Sequence, residues 1–416
     1  MANKRNIDCV KIAFYVSMVI ALIYLVIFGI VTNEAPFKFL IYNYGNDMNV
    51  DFWQCVQDNL TMQPYLNNSS YPALACLFFS FFAKQIPIEA DGGFNFSAPV
   101  NNILFLAYML VTICAFINIL NSAKAGNQFE KAFFGGIILL SAPYIYMFER
   151  GNLVFVALLF LMAFVFGKDS KNKYVRELAY ICLGIAAALK IYPAVFGLLL
   201  IKDKNYKAAV RATLYGIAFF VIPFFAYGGI SDMYRMYTDI RFAENQFAGT
   251  GVGGKVNLSS TISVIIGLLG IDYMAPFVQK IFVVLPYIYM IFAIIACMFH
   301  KSKWKICTLL VSLIILVPAF SFVYTLIFFI IPLVFFLDTN EKRTWIDWAC
   351  LICFIGIMIP IVHNPTELLK NFQSGFDYVF STFIQGIAVL VISGILVLEG
   401  LIYGSLNIKQ KIKSRK

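Results

Sequence analysis

The chain has 416 residues, of which 61% are hydrophobic and only 13% are charged, and its mean hydropathy is +0.80. A soluble protein of this length could not bury so much apolar surface, so a water-soluble globular fold is excluded. The formal net charge of +10 does not indicate nucleic-acid binding, because the basic residues recur in short clusters between apolar runs, as they do in membrane proteins.

Long apolar runs predict an all-α polytopic membrane protein. They match the roughly 17–25 residues that a helix needs to cross a bilayer, and they lack the strict alternation of barrel strands. The expected architecture is a bundle of about twelve transmembrane helices in a single integral membrane domain, residues 1–416. No Walker-type GxxxxGKS/T or other nucleotide-binding motif is present, so a nucleotide-binding globular domain is not supported.

The spans and loops follow from the apolar runs and the basic clusters. Successive cytoplasmic basic clusters require an even number of crossings between them, which predicts a multi-pass protein with both termini cytoplasmic. The predicted spans in chain order are 11–32, 99–121, the arms of a hairpin over 132–167, the arms of a hairpin over 177–201, 208–228, 275–299, the arms of a hairpin over 306–337, 345–361 and 379–406.

Two large exoplasmic loops are expected between these spans, over residues 33–98 and 229–274. The first should carry short juxtamembrane helices, including the apolar segment 72–84, which is too short to span a bilayer. A smaller exoplasmic loop is expected over 362–378.

The first exoplasmic loop contains the candidate general base, Asp51. Phe52 and Trp53 follow it directly, and a carboxylate that bulky aromatic side chains partly remove from water is suited to proton abstraction. The alternative is a carboxylate that caps a short helix. Asp47 and Asp58 are rival candidates for the base.

Basic residues at two predicted hairpin tips are candidates for phosphate binding. Arg150 and Lys190 lie near membrane depth, where ionisable side chains by default suggest function, and both can neutralise a phosphate. The alternatives are an ion pair of Arg150 with Glu149, or extension of either side chain to the membrane surface. Arg241 and Lys255 in the second large loop are further candidates.

The remaining polar signals are weaker. Asn257 opens an apolar helix and predicts an N-cap, although a helix start can also face an anion. Because the chain has only two histidines, a histidine-rich metal site is excluded. No metal or cofactor is predicted, although a carboxylate-bound divalent ion stays open.

Several motifs together resemble the GT-C superfamily of polyprenyl-phosphate-sugar glycosyltransferases, most closely glycosyltransferase family 87. They lie in one order over about residues 40–335. The matching motifs are DFWQ at 51–54, QPYLNNSSYPAL at 63–74, RGN at 150–152, ALKIYP at 188–193, NLS at 257–259 and SFVYTLIFFIIPL at 321–333. The chain departs from the family pattern at Ala73, where a proline is frequent, and at Phe322 and Tyr324, where a Ser-Pro and a His-Tyr-like pair are frequent.

The resemblance implies a GT-C-like fold and an inverting sugar transfer from a polyprenyl-phosphate donor, most commonly of mannose or another hexose. The acceptor would be an exoplasmic lipid or glycan of the cell envelope, and the site would face the outside of a bacterial plasma membrane. Asp51 maps onto the general base. The donor phosphate is assigned to Arg150, Lys190, Arg241 and Lys255. The sugar and the acceptor are assigned to Trp53, Tyr65, Tyr71, Asn152, Tyr192, Asn257 and Tyr324.

Two other classes of function stay open on the sequence. A twelve-span secondary transporter would keep its outer loops short and its charges midway along its spans, whereas the first outer loop here is long. A protein that binds a lipid-linked sugar without catalysing its transfer would keep the fold but not the base.

Overall fold

A computed structural model describes residues 8–32, 49–85, 99–247, 254–361 and 380–413. These residues form seventeen α-helices joined by short 3-10 segments, and the described part of the chain contains no β-strand. The helices are α1 Cys9–Thr32, α2 Val50–Asp58, α3 Ala73–Ala83, α4 Pro99–Ala123, α5 Gln128–Leu139, α6 Ala142–Arg150, α7 Val154–Gly167, α8 Lys173–Leu189, α9 Leu198–Lys202, α10 Tyr206–Val221, α11 Ile230–Phe247, α12 Leu258–Leu268, α13 Pro276–Phe299, α14 Lys303–Leu316, α15 Ile330–Leu337, α16 Trp345–Met358 and α17 Phe380–Lys413.

The all-α membrane class is confirmed, but the part of the chain that the structure describes does not contain twelve bilayer-length helices. In the described ranges, five helices are long and apolar enough to cross a membrane, or six if the bent pair α5 and α6 counts as one span. Six further apolar helices have only 10–17 residues. At least one arm of each of the three predicted hairpins is among these shorter or broken helices, because turns and 3-10 segments interrupt the apolar runs.

The predicted loops are also more ordered than expected. The segment 72–84 forms the short helix α3, as predicted. The second large loop, 229–274, contains the 18-residue helix α11 and the apolar helix α12. Parts of both large loops and all of 362–378 lie outside the described residues.

Asparagine caps define where several helices begin. The Asn172 side chain accepts a hydrogen bond from the Tyr174 amide at the start of α8, and the Asn205 side chain accepts one from the Ala208 amide at the start of α10. Each cap satisfies a backbone donor that has no partner within its helix. The sequence analysis did not predict these two caps, and it began the two elements at 177 and 208, a few residues after the observed starts.

The chain divides into two compact units. Unit 1 comprises Met1–Tyr44, Lys124–Tyr146 and Thr250–Lys416, and unit 2 comprises Gly45–Ala123 and Met147–Gly249. In unit 1, α17 packs against α13, α14 and α16. The prediction of a single membrane domain over 1–416 stays a prediction.

Unit 2 is built around α8, which packs against both α7 and α10. A side chain at Gly184 of α8 would place its Cβ 2.9 Å from the Gly216 amide nitrogen of α10. Glycine is therefore required for this close helix crossing. The crossing positions the end of α8, and with it Lys190, relative to the rest of unit 2.

Candidate functional site

Aromatic packing anchors the short helix that carries Asp51. Phe52 and Trp53 are buried, and their ring centroids lie 4.8 Å apart, edge to face. The Phe52 ring also contacts Phe105 at 5.3 Å and Tyr108 at 5.2 Å. Because α2 has only 9 residues, this packing and not helix propensity stabilises it. The first turn of α2, which carries Asp51, therefore has a defined position.

The Arg150-Gly151-Asn152 turn lies against the same helix. Gly151 has a φ of +62°, and a Cβ there would lie 2.8 Å from the Phe52 Cβ. Only glycine meets both the left-handed backbone and the close approach. The turn therefore brings the side chains of Arg150 and Asn152 to one side of α2.

Three hydrogen bonds orient the Asp51 carboxylate. Arg150 donates from Nε and Nη2 to Oδ1, at 3.1 and 2.5 Å. Asn152 donates from Nδ2 to Oδ2 at 2.6 Å. The Arg150 and Asp51 side chains are 17% and 15% exposed, so water screens this charge-assisted pair only in part.

Tyr71 and Lys190 extend the cluster. The Tyr71 hydroxyl lies 3.5 Å from Asn152 Nδ2. The Lys190 Nζ lies 4.0 Å from the centroid of the Tyr71 ring, a cation–π geometry. Lys190 follows the last residue of α8, with an extended backbone that ends the helix. One acid, two cations, one amide and one phenol thus lie together in unit 2.

This arrangement agrees with one part of the sequence analysis and adds a partner that it did not predict. Asp51, Arg150 and Lys190 were expected to share one place, and the contacts bring them together. The alternative for Arg150 was an ion pair with the adjacent Glu149, and the structure shows an ion pair of Arg150 with the distant Asp51. Adjacent residues at a helix end point in different directions, so neighbours in sequence need not pair.

Four other predicted residues also lie in unit 2. Trp53 is buried in the aromatic core. The Tyr65 ring is buried and stacks on Phe224, and its hydroxyl donates to the Tyr71 carbonyl. Tyr192 is partly buried at the start of a 3-10 segment. Arg241 is exposed on α11 and pairs with Glu244 at 2.8 Å. Sugar or phosphate binding by these residues stays a prediction.

The last three predicted residues lie in unit 1. Asn257 is the N-cap of α12, as one of the two interpretations predicted: its Oδ1 accepts from the Ser260 amide at 2.7 Å, and its Nδ2 donates to the Ala319 carbonyl. Lys255 is 3% exposed, and burial lowers its pKa to about 8. The Tyr324 ring stacks on Tyr146 at 6.2 Å.

Of the two rival candidates for the base, the structure describes only Asp58. Asp47 lies outside the described residues. Asp58 lies two turns after Asp51 on α2, and no ion pair is found for it among the described residues. Burial raises the pKa of Asp58 to about 6. Among the residues that the structure describes, no side chain donates a hydrogen bond to its carboxylate as Arg150 and Asn152 do to Asp51, so Asp51 is the better candidate for the base.

Sequence reasoning missed one residue of the cluster, Cys55. It lies one turn after Asp51 on α2 and is buried. Burial raises the pKa of this thiol, which keeps it neutral and unreactive. The spacing of four residues from Asp51 was the available signal, because it places both on one helix face.

An apolar cavity of about 880 Å³ lies beside the cluster, between α3, α4, α7 and α8. Its walls include Phe78, Phe81 and Tyr108. Leu189, which directly precedes Lys190, and Leu74, three residues after Tyr71, also line it. The cavity therefore adjoins the segments that carry the cation and the phenol.

No group of three or more histidine, cysteine, aspartate or glutamate side chains that could hold a metal ion occurs among the described residues. Metal dependence accordingly stays a question for experiment.

Comparison with known proteins gives one match. Residues 70–324, more than half of the chain, match the model of the family described as glycosyltransferase family 87. No curated protein and no solved structure matches the chain. The matched range includes Tyr71, Arg150, Asn152 and Lys190 but begins after Asp51, so the assignment of the acid depends on its contacts.

Proposed function

Because the chain belongs to glycosyltransferase family 87 and is a membrane glycosyltransferase, we propose that it transfers a hexose from a polyprenyl-phosphate donor to an acceptor hydroxyl with inversion. Mannose is the first candidate for the sugar, and an exoplasmic lipid or glycan for the acceptor. The observation that carries the proposal is the Asp51 carboxylate, positioned by Arg150 and Asn152 beside a second cation.

Asp51 is the general base, and Oδ2 is the atom that accepts the proton. Oδ1 already accepts two hydrogen bonds from Arg150, whereas Oδ2 accepts one from Asn152. A carboxylate oxygen has about two acceptor sites, so Oδ2 keeps one for the acceptor hydroxyl. Arg150 and Asn152 are positioning residues in this scheme, because their hydrogen bonds fix the orientation of the carboxylate.

The transfer itself is a single displacement. The acceptor oxygen loses its proton to Asp51 and attacks the anomeric carbon, while the bond between that carbon and the phosphate oxygen breaks. The electron pair leaves with the polyprenyl phosphate, and the configuration of the anomeric carbon inverts. Lys190 stabilises the negative charge that develops on the leaving phosphate. No step in this scheme requires a metal or a cofactor.

The apolar cavity fits the isoprenoid chain of the donor. It is lined almost entirely by apolar side chains and adjoins Lys190 through Leu189. A phosphate at Lys190 would therefore place the attached chain next to a wall of leucine and phenylalanine side chains, whose burial of apolar surface favours binding. Arg241 and Lys255 are secondary candidates for the phosphate, and Tyr71 is the first candidate to contact the sugar.

The proposal includes a location. The site faces the exoplasmic side of a bacterial plasma membrane, and both termini are cytoplasmic. The basic clusters between apolar runs support this orientation. Cysteine labelling from outside the cell at residue 58 and at residue 204, in a variant whose native cysteines are replaced, tests it: only residue 58 should be reached.

The decisive experiment incubates the purified chain with a panel of polyprenyl-phosphate sugars and measures release of polyprenyl phosphate. Turnover of one donor is expected, and Asp51→Asn should abolish it while the melting temperature and donor binding are retained. Asp58→Asn is the matched control and should keep turnover. Loss with Asp58→Asn but not with Asp51→Asn would assign the base to Asp58. Uptake of a water-soluble solute into proteoliposomes, without release of polyprenyl phosphate, would overturn the proposal.

A further inference from the structure

A second apolar groove lies on the other side of α8. It has a volume of about 650 Å³ and is formed by α8, the segment 191–201 and α10. Leu183 and Ala187 of α8 line this groove, whereas Cys182, Ile185 and Leu189 of the same helix line the cavity described above. These sets lie on different faces of one helix, so the two spaces are separate.

The groove has the length of one membrane leaflet. Along α10 it runs from Ala209 to Val221, which is about 18 Å at 1.5 Å per residue. Half of a bilayer's hydrocarbon core is about 15 Å. The helix that carries it, Tyr206–Ala226 with its 3-10 extension, is one of the five candidate spans and has only 17% of its window buried. The groove therefore opens on a lipid-facing surface.

One end of the groove carries two exposed lysines. Ile201 and Ala209 line that end, and the connection between them contains Lys204 and Lys207. Both lysines are exposed, and neither has an ion-pair partner among the described residues. The nearest acid in the chain, Asp203, is already paired with Lys168 at 2.6 Å.

An exposed tyrosine, Tyr206, lies at the same end of the groove as the two lysines. The Tyr206 side chain is 62% exposed between the two lysines, and tyrosine is enriched where a membrane meets water. The order along the surface is thus two cations and a tyrosine, followed by about 18 Å of apolar groove. A phospholipid has the same order: an anionic headgroup, an interfacial glycerol and an acyl chain.

We propose that this groove binds one acidic glycerophospholipid, with its phosphate at Lys204 and Lys207 and one acyl chain along α10. The charge at the groove's end favours an acidic headgroup over a zwitterionic one, because each lysine near an anionic lipid surface strengthens binding by about 5-fold. The site does not depend on sugar transfer, and its test does not require a donor.

Native mass spectrometry of the detergent-purified full chain tests the proposal with phosphatidylglycerol and phosphatidylcholine of matched acyl chains. One phosphatidylglycerol per chain should bind more tightly than phosphatidylcholine. Lys204→Gln/Lys207→Gln should weaken phosphatidylglycerol binding by roughly 30-fold at low salt and leave phosphatidylcholine unchanged. Thr213→Trp, at an exposed position that lines the groove, should weaken both lipids.

Two matched controls separate the groove from general effects. Leu214→Trp adds the same side chain on the neighbouring exposed position, which does not line the groove. Lys301→Gln/Lys342→Gln removes two exposed lysines elsewhere. Neither control should change lipid binding.

Three outcomes would overturn the proposal. Equal affinity for the two phospholipids would show that the lysines do not select an acidic headgroup. Equal losses in each variant and its control would show non-specific association. Displacement of phosphatidylglycerol by one equivalent of polyprenyl phosphate would assign the groove to the donor lipid.

Discussion

The contact between Asn152 and Asp51 gives the sharpest prediction. Asn152→Asp keeps the shape of the side chain and the acceptor for the Val154 amide, which now donates to Asn152 Oδ1 at 2.9 Å. It replaces the donor that lies 2.6 Å from Asp51 Oδ2 with a carboxylate oxygen. The substitution therefore changes one hydrogen bond and one charge in a nearly unchanged volume.

The magnitude follows from that distance. A hydrogen bond to a charged group contributes about 1.5–3 kcal/mol, which is about 10- to 150-fold in rate if it acts only through the orientation of the base. Two ionised carboxylates at 2.6 Å would repel by about 6 kcal/mol at an effective dielectric constant of about 20. The pair should therefore share a proton at neutral pH, and a base that already carries a proton cannot accept another.

We expect Asn152→Asp to lower kcat by at least about 100-fold at pH 7, and Asn152→Ala by about 10-fold. Release of polyprenyl phosphate measures kcat, and thermal unfolding in detergent measures the fold. The exchanged variant Asp51→Asn/Asn152→Asp restores a donor and an acceptor across the same gap. It should have the melting temperature of the wild type but stay inactive, because the carboxylate is now on residue 152 and no longer on residue 51. A wild-type rate and melting temperature for Asn152→Asp would refute the contact.

The other predictions concern the cation, the second acid and the turn. Lys190→Met should lower kcat/KM by about 100-fold through loss of a charge-assisted contact to the phosphate, and Lys190→Arg should recover part of it; equal activity of Lys190→Met and wild type would remove the cation from the mechanism. Because burial raises the pKa of Asp58 to about 6, its ionisation opposes folding: the cost is absent below about pH 4 and complete above about pH 6. The melting temperature of Asp58→Asn should therefore exceed that of the wild type at pH 7, by an amount equivalent to on the order of 1 kcal/mol, and the difference should vanish at pH 4; a constant difference would contradict this. Gly151→Ala should cost roughly 1–2 kcal/mol for the left-handed backbone and more for the 2.8 Å approach to Phe52, and urea unfolding measures it; unchanged stability would mean that the turn differs from the one described.

The sequence was sufficient for the fold class because composition leaves few choices. A chain with 61% hydrophobic residues in long runs must place its helices in lipid and pair its backbone groups within them. Local signals also gave several element boundaries, including Asn257 as an N-cap. The number of bilayer-length helices was not predictable in the same way, because apolar residues within a hairpin do not reveal where a helix breaks into a 3-10 segment.

The candidate site shows the same division. The residue types at Asp51, Arg150 and Lys190 suggested an acid and two cations, since ionisable groups among apolar helices are costly to retain. Their pairing was not readable from the chain. Arg150 contacts an acid 99 positions away, and Trp53 and Tyr65, which suggested a sugar surface, are packed into the interior.

The sequence alone determined which ionisable side chains are present and that the chain folds in a lipid bilayer. Only the tertiary structure decided which groups meet, because hydrogen-bond partners depend on how helices cross and turns bend. Gly184 sets one such crossing and Gly151 one such turn, and both place side chains from distant segments of unit 2 within a few ångströms of Asp51 or its neighbours.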